Sequence, residues 1–301
     1  MMKRVVITIV ILLASTLAQG ESPLAEGNGA LNETRFTLRQ EFLRLINSDR
    51  KHHGLAPVEL DGWTSALADE YCRAQIRNGT TGHFTVDGQA PYMRYSFAGG
   101  NDAVSENAAA WSASYRFNDR ALYEMIRRSQ EAMMAEHAPH DGHRRTILDP
   151  HATHVGIGLA WKDGEFRLTQ EFVRRYINWT QTLPRAATLN EKIVAAGRAQ
   201  HGYLADAVSV HFEPLPQPIS PITANVIDTY SLPDRRHDYA VNPSSDFAFT
   251  IPFTDGPGIY TVVVWVRRQG EKEAIPASNV SIRVDRPATG ERYMLSGGGM
   301  R

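Results

Sequence analysis

Residues 136–158 read EHAPHDGHRRTILDPHATHVGIG, and five of the eleven histidines fall within this run. They are His137, His140, His143, His151 and His154, with Glu136 and Asp141 among them. A helix pattern enters the stretch, and Pro139 cannot continue it. A strand pattern leaves it: VGIGLAW at 155–161, the turn KDG at 162–164, then EFRLTQEFV at 165–173, which together predict a β-hairpin. A junction of this kind can hold side chains in a fixed constellation.

Upstream the spacing predicts helices. Leu38, Phe42, Leu45 and Ile46 recur on one helical face after the capping-box form Thr37 to Gln40, so a helix begins near Thr37 and ends at Gly54. A second helix runs from about Trp63 to Arg77, with Leu67, Tyr71, Cys72 and Ile76 inward, and is closed by Gly79 and Gly82. Tyr92, Met93 and Tyr95 suit a short helix. A further one starts at Asn118-Asp119, presents Leu122, Ile126, Ser129 and Met133, and ends near Glu136. Helices around a short antiparallel sheet predict an α-β-α sandwich over residues 35–176, in the α+β class.

Composition shifts after Val173. Residues 177–188 read as a linker, and 189–286 as a smaller all-β, immunoglobulin-like sandwich domain. In IYTVVVWVR (259–267) both alternating faces are apolar, which suits a central strand. Pro214, Pro216 and Pro218 mark an exit from a strand. The tail 287–301 carries no pattern and is expected to be disordered.

The first residues predict an address. Lys3-Arg4, an apolar run from Val5 to Leu13 broken by one Thr, and Ala18-Gln19-Gly20 compose a signal peptide over 1–20, followed by a flexible stretch at 21–34. No later run is long enough to span a bilayer. The expected protein is secreted, in the periplasm or outside the cell, with no transmembrane segment in its mature chain. A net charge of −1 over 301 residues gives no surplus for nucleic acid. The single cysteine, Cys72, excludes an internal disulfide and reads as a small buried hydrophobe.

His83, Glu106, Glu136 and His143 are the candidate site. Two imidazoles and two carboxylates can hold zinc or another divalent metal, with the carboxylates fixing the tautomers. Without metal the same groups can do acid-base work. His137, His140, His151 and His154 compete for the role. No H-E-x-x-H, C-x-x-C, G-x-S-x-G, G-x-G-x-x-G or P-loop occurs.

The segments FLRLINSDRKHHGLAPVELDGWTSALADEYC, GHFTVDGQAPYMRY, SENAA, MMAEHAPHDGHRRTILDPHATHVGIGLA and RLTQEFV, in that order over residues 36–173, resemble the CAP superfamily: cysteine-rich secretory proteins, antigen 5 and pathogenesis-related proteins, in their bacterial secreted form. The resemblance implies an α-β-α fold and a cleft of two His and two Glu. By motif these fall on His83, Glu106, Glu136 and His143, with Arg94, Asn107 and Ser105 as supports and Glu131 as the fallback for Glu136. His83 and His143 are then the metal ligands. Met133 stands where many members have Trp. The family implies no single reaction. Its ligand classes leave lipid, peptide and cell-wall material open. Two functions follow: a binding or cell-envelope interaction module, or a metal-assisted hydrolase of peptides or cell-wall material with Glu106 or Glu136 as catalytic base. A third holds the four residues as a structural polar network.

Overall fold

The computed structural model describes residues 27–287, with side chains from residue 33 onward. The signal-peptide reading and the tail from residue 288 lie outside the described residues. The first half of the chain supplies α1 (Gly27–His52), β1 (Glu59–Leu60), α2 (Gly62–Asn78), α3 (Pro91–Phe97), β2 (Ala103–Ser112), α4 (Asp119–Met134), α5 (Gly142–Ile147), β3 (His154–Lys162) and β4 (Glu165–Arg174). The expected hairpin is β3–β4, turned at Asp163 and Gly164, both left-handed at φ 48° and 87°.

The sheet order is β1-β3-β4-β2, so β2 is an edge strand. Val155, Ile157, Leu159, Phe166, Leu168 and Phe172 point from it into a core shared with Leu38, Phe42 and Ile46 of α1 and Leu122 and Ile126 of α4. The opposite face receives α2. A Cβ at Gly158 would stand 2.4 Å from the backbone carbon of Ala68, so this close approach requires glycine. Arg50 of α1 is wholly buried and donates to the carbonyls of Ile147 (2.8 Å) and Asp149 (2.9 Å), which fixes the chain leaving α5.

Two boundaries differ from expectation, and one strand falls where no element was assigned. Helix α1 begins at Gly27, not near Thr37, so residues 27–34 are not a loose lead-in. Once the packed turns are formed, extending a helix adds one bond per residue at little further cost. Residues 103–112 are a strand, although their alanine run has low β propensity; pairing with β4 overrides it. The expected linker at 177–188 instead contributes β5 (Ile177–Gln181) and β6 (Ala186–Thr188), which pair with later strands and bury Ile177, Leu183 and Ala187.

The remaining elements are β7 (Ile193–Ala199), β8 (Tyr203–Glu213), α6 (Pro221–Val226), β9 (Arg236–Ser244), β10 (Asp246–Ile251), β11 (Gly258–Arg268), β12 (Ala274–Pro276) and β13 (Val280–Asp285). They form sheets ordered β10-β7-β5 and β6-β13-β11-β8-β9, with β12 on β11, around one apolar cluster. The 259–267 stretch is central, flanked by β8 and β13. This half also contains the helix α6, which an all-β reading does not foresee. The two halves are joined by side chains: Ser96 Oγ donates to the Asn279 carbonyl at 3.1 Å and accepts from the Ser281 amide at 2.9 Å.

Candidate functional site

Glu106 and Asn107 are successive residues of an edge strand, so their side chains lie on opposite faces of the sheet. Each organises one histidine. On the α2 face, Glu106 Oε1 meets His83 Nδ1 at 2.8 Å. On the α4 face, Asn107 Nδ2 donates to the His143 carbonyl at 3.1 Å and to Gln170 Oε1 at 2.9 Å. The two imidazole rings meet with centroids 6.5 Å apart.

His143 is held by Glu136, whose Oε1 lies 2.5 Å from Nδ1. Oε2 of the same carboxylate accepts the His143 and Arg144 amides at 3.0 and 3.3 Å. Glu136 therefore satisfies the first N–H groups of α5, as an end-cap does. Burial acts to raise Glu136, but the His143 ring and these amides outweigh it and hold its carboxyl below the usual range.

His83 is 6% exposed, and burial, followed by the nearby His143 and Arg94 charges, pushes its pKa down to about 4. It is a neutral imidazole near pH 7. Arg94 Nη1 donates to the His83 carbonyl at 2.6 Å, Nη2 pairs with Glu106, and the guanidinium stacks on Tyr71 at 3.5 Å from the ring centre. Arg94 also lies 3.5 Å from Glu171. Glu171, facing Glu106 across the β2–β4 ladder, has a buried Oε2 with no hydrogen-bond partner among the described residues. Burial and then the Glu106 charge raise its carboxyl well above the usual carboxylate range.

Both Nδ1 atoms thus face carboxylates, and among the described residues neither Nε2 has a hydrogen-bond partner. This tautomer arrangement is the one metal-binding imidazoles use. Among the described residues no three His, Cys, Asp or Glu side chains converge as a ligand set. The donors are two imidazoles. A tetrahedral ion bound through both Nε2 atoms would place the ring centres about 5.3 Å apart, so the rings at 6.5 Å fit after a movement of about an ångström.

The competing residues stand elsewhere. His137 and His140 are exposed. The amide of His151 donates to Asp149, and His154 meets Thr153 Oγ1 at 2.8 Å near Glu59. Glu131 is exposed and pairs with Arg127, so it does not replace Glu136. Ser105 makes no hydrogen bond to the four. Cys72 is buried against Thr169, its thiol pushed up to about 12 by burial.

The sequence reading missed Glu171, whose only signal is an acid within an otherwise continuous strand pattern. It also missed a strap. Residues 214–235 leave β8 and cross the His83 loop. Ile219 donates to the Val86 carbonyl (2.8 Å), the Thr81 amide donates to Asn225 Oδ1 (2.8 Å), and Tyr92 donates to Glu213 (2.9 Å). Tyr230 ends the crossing with its ring 4.9 Å from that of His83 and its hydroxyl accepting the Glu106 amide.

Residues 43–172 match the family model for CAP, the cysteine-rich secretory protein family. Over these residues the chain carries a CAP domain. Seven solved chains match. One is an extracellular protein containing an SCP domain from Bacillus anthracis str. Ames, 18% identical, with a TM-score of 0.35, covering 52% of this chain. The present chain spans 45% of that protein. No curated protein matches. No helix among the described residues is long and apolar enough to cross a membrane.

Proposed function

We propose that this protein is a secreted binding module whose His/Glu cleft holds a divalent transition metal, zinc among the candidates. His83 and His143 would be the ligands, Glu106 and Glu136 their orienting partners. One observation carries the reading: both imidazoles spend Nδ1 on a carboxylate and leave Nε2 without a partner among the described residues. The neutral state of His83 adds to it, because no proton competes with metal at pH 7. A bound ion would supply Lewis acidity and an anchor for an oxygen donor; the chain's own residues fix the rings and keep water from one face of His83.

The hydrolase reading fares less well. Catalytic zinc sites generally use three protein ligands. Here both carboxylates are hydrogen-bonded to imidazoles. A two-imidazole site fits weak, exchangeable binding with most coordination positions open to a ligand.

The test is calorimetric titration of the purified chain with zinc. Saturable binding is expected in wild type and in His151→Ala, and is lost in His83→Ala and His143→Ala. Glu106→Gln and Glu136→Gln should weaken it by about 10- to 100-fold, the usual effect of removing an orienting partner. Failure of wild type to bind sinks the proposal.

A further inference from the structure

The edge of β2 does not look like a protected edge. From Ala108 to Ser112 (AAAWS) it carries no Lys, Pro or Gly, and its pairing with β4 runs without a bulge. Such guards are what natural sheets use to stop strand addition. In an antiparallel ladder, alternate residues turn both N–H and C=O outward. The parity here is fixed by the neighbours. The Val104 amide goes to Asn279 Oδ1 (3.3 Å) and its carbonyl accepts from Asn279 Nδ2 (3.1 Å). The Glu106 amide goes to the Tyr230 hydroxyl. On the far side of the sheet, Ile157 and Leu159 send their amides away from β4, to Ser65 and Asp69, which agrees with the same alternation. The backbone groups of Ala108 and Ala110 therefore also turn away from β4. They are half-buried, and among the described residues no group pairs with them.

Two features say what belongs there. First, the same edge is already paired by pieces of this chain that imitate a strand. The Asn279 amide gives Val104 both a donor and an acceptor, as a peptide group would, and the Tyr230 hydroxyl stands against Glu106. Second, the open run begins one pleat beyond Glu106, about 7 Å along the strand, and so abuts the His83–His143 pair. The small side chains of Ala108, Ala109 and Ala110 leave room beside it.

We infer that the open edge of β2, from Ala108 to Ser112, binds a short extended peptide by strand addition and presents its backbone to the His83–His143 pair. Main-chain hydrogen bonds would give affinity in this mode, and alternate side chains would face the two sides of the sheet. A second copy of the protein fits less well. Asn279 and Tyr230 already fill the first two outward positions, and the short run left is ample for a peptide but little for a sheet-to-sheet dimer. The inference rests on the reading of the cleft as a binding site, not on the metal.

The experiment uses the full purified chain and a pool of N-acetylated, C-amidated random hexapeptides. Selected peptides are resynthesised with N-methyl groups at odd or at even residues. Methylation of one parity is expected to weaken binding at least tenfold, and of the other less than twofold. Binding should slow amide exchange at Ala108 and Ala110 at least tenfold. Ala110→Pro removes an outward N–H that β4 does not use, and should weaken binding at least tenfold. Ala108→Pro serves if that variant fails to fold, and exchange in the wild type stands without either. No enrichment of any peptide, equal loss from both parities, unchanged exchange at the two alanines, or a dimer that buries β2 overturns the inference. Each arm is run with EDTA and with zinc. Peptide binding that persists while zinc titration fails leaves this inference and removes the metal; zinc binding without peptide enrichment does the reverse.

Discussion

The Tyr230 hydroxyl accepts the backbone amide of Glu106, a residue 124 positions earlier in the chain. The partner of a tetrad residue thus comes from the C-terminal half of the protein. Without that hydroxyl, the Glu106 N–H would face the ring edge of a phenylalanine. Losing one partner of a partly buried hydrogen bond costs about 1–3 kcal/mol. Tyr230→Phe is expected to lower stability by about that amount in urea unfolding, and to speed exchange of the Glu106 amide. Unchanged exchange would mean that the strap is not seated on β2 in solution.

Arg94 should prove more damaging to lose than His143. Its guanidinium touches the His83 carbonyl, Glu106 and Glu171, and stacks on Tyr71. Glu106 and Glu171 are 3% and 2% exposed, so neither can turn to water for compensation. Breaking a buried ion pair from one side costs about 3–5 kcal/mol. Arg94→Ala should lose about that much, whereas His143→Ala, whose ring is a third exposed, should lose far less. Arg94→Lys should not rescue it, because a single ammonium cannot reproduce the planar fork. Thermal unfolding of the three variants checks the order; equal losses would show that Arg94 is not the hub.

What could be read from sequence follows from how local each signal is. The β3–β4 hairpin was legible because its alternation and its Asp-Gly turn lie within 21 residues, from His154 to Arg174. The Asn118 cap was legible for the same reason, and Asn118 Oδ1 does accept the Ala121 amide at 2.9 Å. Strand β2 was hidden because alanine prefers helix, and only its partner strand makes it extended. Of the site, His83, Glu106, Glu136 and His143 could be named by motif, but their pairing could not. Nothing near Glu106 in sequence announces Arg94 as the bridge to Glu171. Tyr230 lay in a Pro-punctuated stretch with no periodicity at all, and its role exists only through contacts made across the two halves.

Gly158 gives a test of the α2–β3 packing. In the sequence it is one of two glycines in VGIGLA and reads as an ordinary weak strand residue. In the fold it faces α2, where an added Cβ would fall 2.4 Å from the Ala68 backbone carbon and 2.5 Å from its oxygen. Backbone cannot move aside as a flexible side chain can, so Gly158→Ala should destabilise by about 1–3 kcal/mol or more. Gly62→Ala, where nothing lies within 4 Å of the added carbon, is the control and should be nearly neutral. If both variants melt alike, the helix does not ride as close to β3 as described.

Glu171 sets a pH dependence with a definite sign. Its folded-state carboxyl is raised well above the usual range, first by burial and then by the Glu106 charge. Above the ordinary carboxylate pKa the unfolded chain has released this proton while the folded chain still holds it. The folded state then binds more protons, so stability falls as pH rises, until the folded carboxyl ionises as well. The loss is about 1.4 kcal/mol for each unit by which folding raises the group. Glu171→Gln keeps the neutral shape and cannot ionise, so it removes this term. The variant should resemble wild type near pH 4 and gain on it steadily up to the folded pKa of the carboxyl, in urea unfolding measured from pH 4 to 9. A difference that stays flat with pH, or one that narrows as pH rises, would mean that Glu171 is ionised in the folded protein and that Arg94 neutralises both carboxylates at once.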